Sequence, residues 1–142
     1  MPASWRVATN FLEATRQLAG MRGVRLMTLG GDYDARHDAF LGVMCLQAIE
    51  SIRVDATFIS TSALAGAYAY HQEERVVTFK RAMLEVASQR FLLVDHTKLG
   101  KVALHRLVPL TEFDAVIIDS GAPPALLEGL RAKAVKVEVA DL

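Results

Sequence analysis

One cysteine, Cys45, occurs in 142 residues, so no disulfide framework can brace this chain. That scarcity fits a reducing compartment, and the cytoplasm is the expected location. Charge of one sign is also missing: sixteen Lys and Arg stand against sixteen Asp and Glu. A balanced surface has no electrostatic footprint for nucleic acid and no polybasic patch for a membrane, so any DNA contact must come from another domain. No apolar run reaches the roughly 20 residues needed to span a bilayer. The opening MPASWRVATN reads as neither a signal peptide nor a transit sequence. The four histidines show no metal-ligand spacing. There is no G-x-G-x-x-G fingerprint, phosphate loop or G-x-S-x-G elbow. Nothing calls for a metal or cofactor.

What remains is ordinary globular material, 52% apolar and 23% charged, enough for one core. The apolar pattern alternates between strand and helix along the whole chain. SWRVAT and VRLMTL read as strands flanking a helix that Asn10 caps and that runs to about Met21. GDYDARHD reads as a loop before a helix from about Ala39 to Arg53. DATFIS, FLLVD, FDAVIID and VKVEVA are further strands, and KVALHRLVP is an edge segment. Helices are expected over Arg75–Arg90 and from Pro123-Pro124 to Lys133, with TSALAGAYAYHQEE as a long loop. Near-continuous apolar strands joined by helices predict one α/β domain over residues 1–142, with a mostly parallel sheet covered by helices on both faces. Cys45, in FLGVMCLQAI, reads as a buried core thiol.

In open parallel sheets, ligands bind beyond the carboxyl ends of the strands. Five polar clusters fall there: Thr9-Asn10, Gly30-Gly31-Asp32, Ser60-Thr61-Ser62, Asp95-His96-Thr97-Lys98 and Asp119-Ser120-Gly121. Loop starts are polar in any case, because exposed backbone needs partners. Hydroxyls, carboxylates, glycines and lysines gathered on one rim also suit a polyhydroxylated, anionic small ligand.

Lys80 sharpens that expectation. At about 100° per residue, Val76, Val77, Phe79, Met83, Leu84, Val86 and Ala87 form an apolar arc, and Lys80 falls within it. A lysine there must snorkel, pair, or reach a ligand. Its place in the first half of the helix puts it near the loop after the third strand.

The order of these pieces resembles the effector-binding domain of the DeoR family of bacterial transcription regulators. VATN, LGGDYD, FKRAMLEVA, FLLVDHTKLGKVA and FDAVIID carry the likeness, which runs from about Val7 to Leu142. VDHTK resembles that family's aspartate-x-[Ser/Thr]-lysine loop, and FKRAM its lysine-arginine-alanine-methionine helix. The resemblance implies a fold related to ribose phosphate isomerase and glucosamine-phosphate deaminase, and a phosphorylated sugar or related metabolite as ligand. It makes Lys80, Asp95 and Lys98 the leading ligand-site residues, with Thr61, Ser62, Gly30 and Gly31 in support. Two departures stand out: residues 1–142 hold no helix-turn-helix, and they start after the aspartate-x-glycine-threonine-threonine strand-loop that opens the family's domain. DNA would therefore be reached only through a helix-turn-helix domain absent from these residues. An exposed sheet edge left by the absent strand would favour a homo-oligomer.

The expected function is a non-enzymatic, sugar-phosphate-sensing domain of a regulator of carbohydrate metabolism. The alternative is a sugar-phosphate isomerase on the same fold, with Asp95 or Asp119 as base; it would have to work without a glycine run after Lys80. A scaffold with a degenerate pocket is a third possibility.

Overall fold

The computed structural model describes residues 4–141, so Leu142, where the resemblance ends, lies outside them. The chain divides into two compact units, Met1–Ile52 and Arg53–Leu142.

The first unit starts as a strand–helix–strand crossover. β1 (Trp5–Thr9) and β2 (Val24–Thr28) pair in parallel around α1 (Leu12–Leu18). The expected Asn10 cap does not form: Phe11 takes the cap position without a side-chain bond. Asn10 instead donates its amide to Phe40 O at 2.8 Å, tying the crossover to the segment beyond β2. The loop expected in that segment is an antiparallel hairpin, β3 (Asp32–Asp34) with β4 (Ala39–Leu41). The hairpin draws Ala39–Leu41 out of the expected helix. α2 therefore spans only Val43–Glu50, entered through Gly42 at φ 91°, a conformation that favours glycine. Cys45 is fully buried, as its apolar neighbours predicted.

In the second unit, β5 (Val54–Ser60), β8 (Ala87–Val94), β10 (Ala115–Asp119) and β11 (Val137–Ala140) form an all-parallel sheet in the order β11-β10-β8-β5. Between β5 and β8 run a hairpin, β6 (Ala63–Ala65) with β7 (Tyr68–His71), and then α3 (Glu74–Glu85). A plain loop was expected in place of that hairpin. β9 (His105–Pro109) joins β7 antiparallel, at the edge of a three-stranded sheet. α4 (Pro124–Ala132) connects β10 to β11, with proline in its first turn as the sequence suggested.

Helix α3 stops five residues before its expected end, because Ala87 pairs with Val54 and opens the β5–β8 ladder. Ladder pairing outweighs the helical pattern of this segment. Each step from β5 to β11 moves the same way across the sheet, so right-handed crossovers put α3 and α4 on one face. There Ile59, Leu92, Val94, Val116 and Ile118 of the sheet bury against Val77 and Leu84 of α3 and Leu127 and Leu130 of α4. Helices on both faces were expected; within this unit both lie on the same one. The opposite face carries Phe58 and Phe91, stacked with ring centroids 5.1 Å apart.

Candidate functional site

The parallel register lines up the carboxyl ends of three adjacent strands. Ser60 of β5 pairs with Leu93 of β8, and Val94 of β8 pairs with Ile118 of β10. One residue farther on come Asp95 and Asp119. Neighbouring strands stand about 4.8 Å apart, so Ser60, Asp95 and Asp119 share one short rim of the sheet. The strand-end rule thus brings together four of the predicted residues: Lys80, Ser62, Asp95 and Lys98.

Lys80 reaches this rim from α3. Its ammonium donates to Ser60 O and lies 2.8 Å from His71 Nε2 and 3.5 Å from Ser60 Oγ. An ammonium has no acceptor, so His71 must accept through Nε2 and keep its proton on Nδ1. That Nδ1 stands 2.9 Å from Ser62 Oγ, which leaves the serine hydroxyl proton free to point elsewhere. Ser62, His71 and Lys80 are therefore linked side chain to side chain along the rim. Burial lowers the Lys80 pKa from 10.5 to about 8. His71 is buried at the end of β7.

Asp95 caps the short 3-10 turn His96–Lys98 and accepts from the backbone N–H and the hydroxyl of Thr97. Those bonds, the hydroxyl first, hold its carboxyl below the usual range, and Lys98 adds to the effect. The loop thus fixes an ionised carboxylate three residues before a half-buried lysine. Asp119 accepts from the backbone N–H of His96 at 2.6 Å and lies 2.6 Å from the ring Nδ1. The imidazole is the first cause of the lowered Asp119 pKa.

Thr61 and Gly31 have structural contacts of their own. Thr61 is buried, and its hydroxyl lies between Tyr70 O at 2.8 Å and Ala63 O at 3.1 Å, stapling the β6–β7 hairpin. Gly30 and Gly31 belong to the first unit. A Cβ on Gly31 would meet Leu41 O at 2.6 Å and Cys45 Cβ at 3.0 Å, whereas one on Gly30 meets open space. Gly31 is thus explained by close backbone packing.

Sequence reasoning missed His71, and it placed His96 on the rim without pairing it with Asp119. His96 stands inside the quoted VDHTK, but its partner lies 23 positions away. Two shallow clefts lie elsewhere. One, of about 140 Å³, runs between Leu64, Leu99, Leu126 and Lys133, and the other, of about 180 Å³, is bordered by Arg81, Arg90 and Glu112. Neither is lined by a predicted site residue, so the chemistry of the rim, rather than concavity, identifies the candidate site.

Residues 2–120 match the family model described as the DeoR C terminal sensor domain. The chain belongs to that family. Among relatives of this DeoR sensor domain, a putative aga operon transcriptional repressor of Escherichia coli O157:H7 is 28% identical over 132 residues, covering 91% of this chain and 48% of that protein. The HTH-type transcriptional repressor GlcR of Bacillus subtilis is 30% identical over 115 residues, 80% of this chain and 44% of its own length. The glycerol-3-phosphate regulon repressor of Escherichia coli K12 is 26% identical over 139 residues, 94% and 54% respectively. The chain spans about half the length of the curated relatives it matches. The chain is α/β with a mostly parallel central sheet, and the family it belongs to is described as a sensor domain. Among the described residues no helix is long and apolar enough to cross a membrane.

Proposed function

We propose that residues 1–142 act as a single effector-binding domain that senses a phosphorylated sugar or related carbohydrate metabolite at the rim formed by β5, β8 and β10. The observation that carries this reading is Lys80, a half-buried lysine held at the strand ends by Ser60 O and His71 Nε2. A charge kept there costs free energy, and an anionic ligand offsets that cost by pairing with it. Lys80 and Lys98 take the phosphate, Asp95 accepts from sugar hydroxyls, and Ser62 offers the hydroxyl proton that His71 leaves free. The names of the relatives, repressors of the aga operon and of the glycerol-3-phosphate regulon, support a carbohydrate metabolite as the effector class.

The domain adopts, on this reading, a fold of the ribose phosphate isomerase and glucosamine-phosphate deaminase type. It works in the cytoplasm as a homo-oligomer and reports to DNA through a helix-turn-helix outside residues 1–142. The ligand alters DNA affinity by preferring one conformational or assembly state. Calorimetric titration with ribose 5-phosphate, glucose 6-phosphate and glycerol 3-phosphate tests the assignment, using the wild type and Lys80→Met. Saturable binding that falls at least tenfold in the variant is expected; equal affinity in both removes Lys80 from the site.

An isomerase-type enzyme is the second reading, favoured by one observation: the carboxylate-held imidazole of His96 is an arrangement that acid–base catalysts use. Turnover of ribose 5-phosphate that disappears in Asp95→Asn places this reading first.

A further inference from the structure

We propose that His96, fixed by Asp119 and backed by Gly121, is a specificity-determining contact of the sensor site that reads a sugar hydroxyl through Nε2. This assignment rests on the sugar-phosphate reading of the rim and adds a residue to it.

The pair is built from two strand ends. Asp119, the last residue of β10, is half-buried, with its two oxygens divided between the backbone N–H of His96 and the ring Nδ1. The first bond alone is enough to staple the loop after β8 to the end of β10. The second fixes the ring, sets its tautomer with the proton on Nδ1, and turns Nε2 away from the carboxylate. Among the described residues Nε2 has no hydrogen-bond partner, and the His96 side chain is 44% exposed. The ring leaves no room for a side chain at position 121: a Cβ there would stand 2.7 Å from Nδ1, 2.8 Å from Cε1 and 3.1 Å from Asp119 Oδ2. Three residues on two loops therefore converge to aim one imidazole nitrogen outward on the rim.

Charge decides which part of the ligand that nitrogen meets. Two carboxylates, Asp95 and Asp119, flank His96, and both are held ionised by the bonds they accept. A phosphate placed there would face like charge, whereas neutral hydroxyls can donate, one to a carboxylate and another to Nε2. The phosphate then goes to the lysines, and His96 with Asp95 reads the hydroxyl pattern. A missing or misplaced hydroxyl leaves a polar group unpaired, which is how such a site discriminates.

The test uses the full chain and three probes that share a phosphate but differ in hydroxyls: ribose 5-phosphate, glucose 6-phosphate and glycerol 3-phosphate. His96→Gln is expected to weaken the best-bound probe at least tenfold, to compress the affinity ratios among the three, and to leave the melting temperature nearly unchanged. Gly121→Ala, which keeps the imidazole but displaces it, is expected to compress the ratios in the same way. In the wild type, the His96 ring Cε1–H resonance, identified by its loss in His96→Gln, shifts on titration. Undiminished affinity in His96→Gln, or an equal loss for all three probes without a ring shift, overturns the assignment while leaving the sugar-phosphate reading in place. Wild-type protein that binds none of the three overturns both. Should His96→Gln fail to fold, Gly121→Ala decides alone: unchanged affinity ratios among the three probes overturn the assignment.

Discussion

Lys80 Nζ and His71 Nε2 lie 2.8 Å apart, a lysine and an imidazole joined where helix α3 meets the end of strand β7. The pair holds Lys80 on the rim, while burial lowers its pKa from 10.5 to about 8. Between those two values the unfolded chain keeps a proton that the folded chain has released. Stability contributed by this group therefore rises with pH from about 8 to 10.5. Wild type should gain on Lys80→Met across that window, by less than roughly 3 kcal/mol, since the bonds to Ser60 and His71 oppose the shift. Urea midpoints of both proteins at several pH values check it, and parallel curves count against it. Binding of an anionic ligand should weaken over the same window as Lys80 loses its charge.

Thr61 and Ser62 are neighbours with opposite expectations. The buried Thr61 hydroxyl serves the backbone of its own hairpin. Thr61→Val should cost about 1–2 kcal/mol of stability, with ligand affinity changed only as far as the fold loosens. Ser62 touches the ring that orients Lys80. Ser62→Ala should leave the unfolding midpoint within experimental scatter and reduce affinity several-fold. Denaturation and titration of both variants separate the two roles, and a reversed pattern shows that Thr61 faces the ligand.

How much of this was legible in sequence depends on how locally each feature is encoded. Strands β5, β10 and β11 stand close to their expected places: β10 is a buried, continuous apolar run, while β5 and β11 show partial alternation of apolar and polar residues. The hairpins β3–β4 and β6–β7 were not legible: three- or four-residue strands such as Ala63–Ala65 carry too little alternation to show a period. Helix α3 was extended too far because Ala87, buried in either structure, fits a helical arc as well as a strand. Lys80 was visible as a charge among apolar neighbours on its own helix. The roles of His71 and of the His96 ring were not, because they come from Lys80 nine positions away and Asp119 twenty-three positions away.

Arg81, next to Lys80, faces away from the rim and ties α3 to β9. Its guanidinium donates to Leu107 O at 2.9 Å and Arg106 O at 2.7 Å. Arg81→Met should lower stability by about 2 kcal/mol through loss of these charge-assisted bonds. Affinity for a rim ligand should stay unchanged in the folded fraction. A binding defect larger than the stability loss explains assigns Arg81 to the site.

Gly30 and Gly31 differ in what surrounds them. A methyl group on Gly31 runs into Leu41 O and Cys45 Cβ, and the nearer contact is backbone that cannot swing aside. Gly31→Ala should therefore destabilise by about 1–3 kcal/mol. Gly30→Ala meets open space and should fold as well as wild type. The thiol of Cys45 provides an internal gauge. It is buried, and its pKa is pushed up to about 11 by desolvation, so at neutral pH it should react with a thiol reagent only when the first unit opens. Labelling should be slow in wild type and Gly30→Ala and faster in Gly31→Ala, in proportion to the lost stability. Equal labelling rates in the two variants would show that the Gly31 contact relaxes without cost.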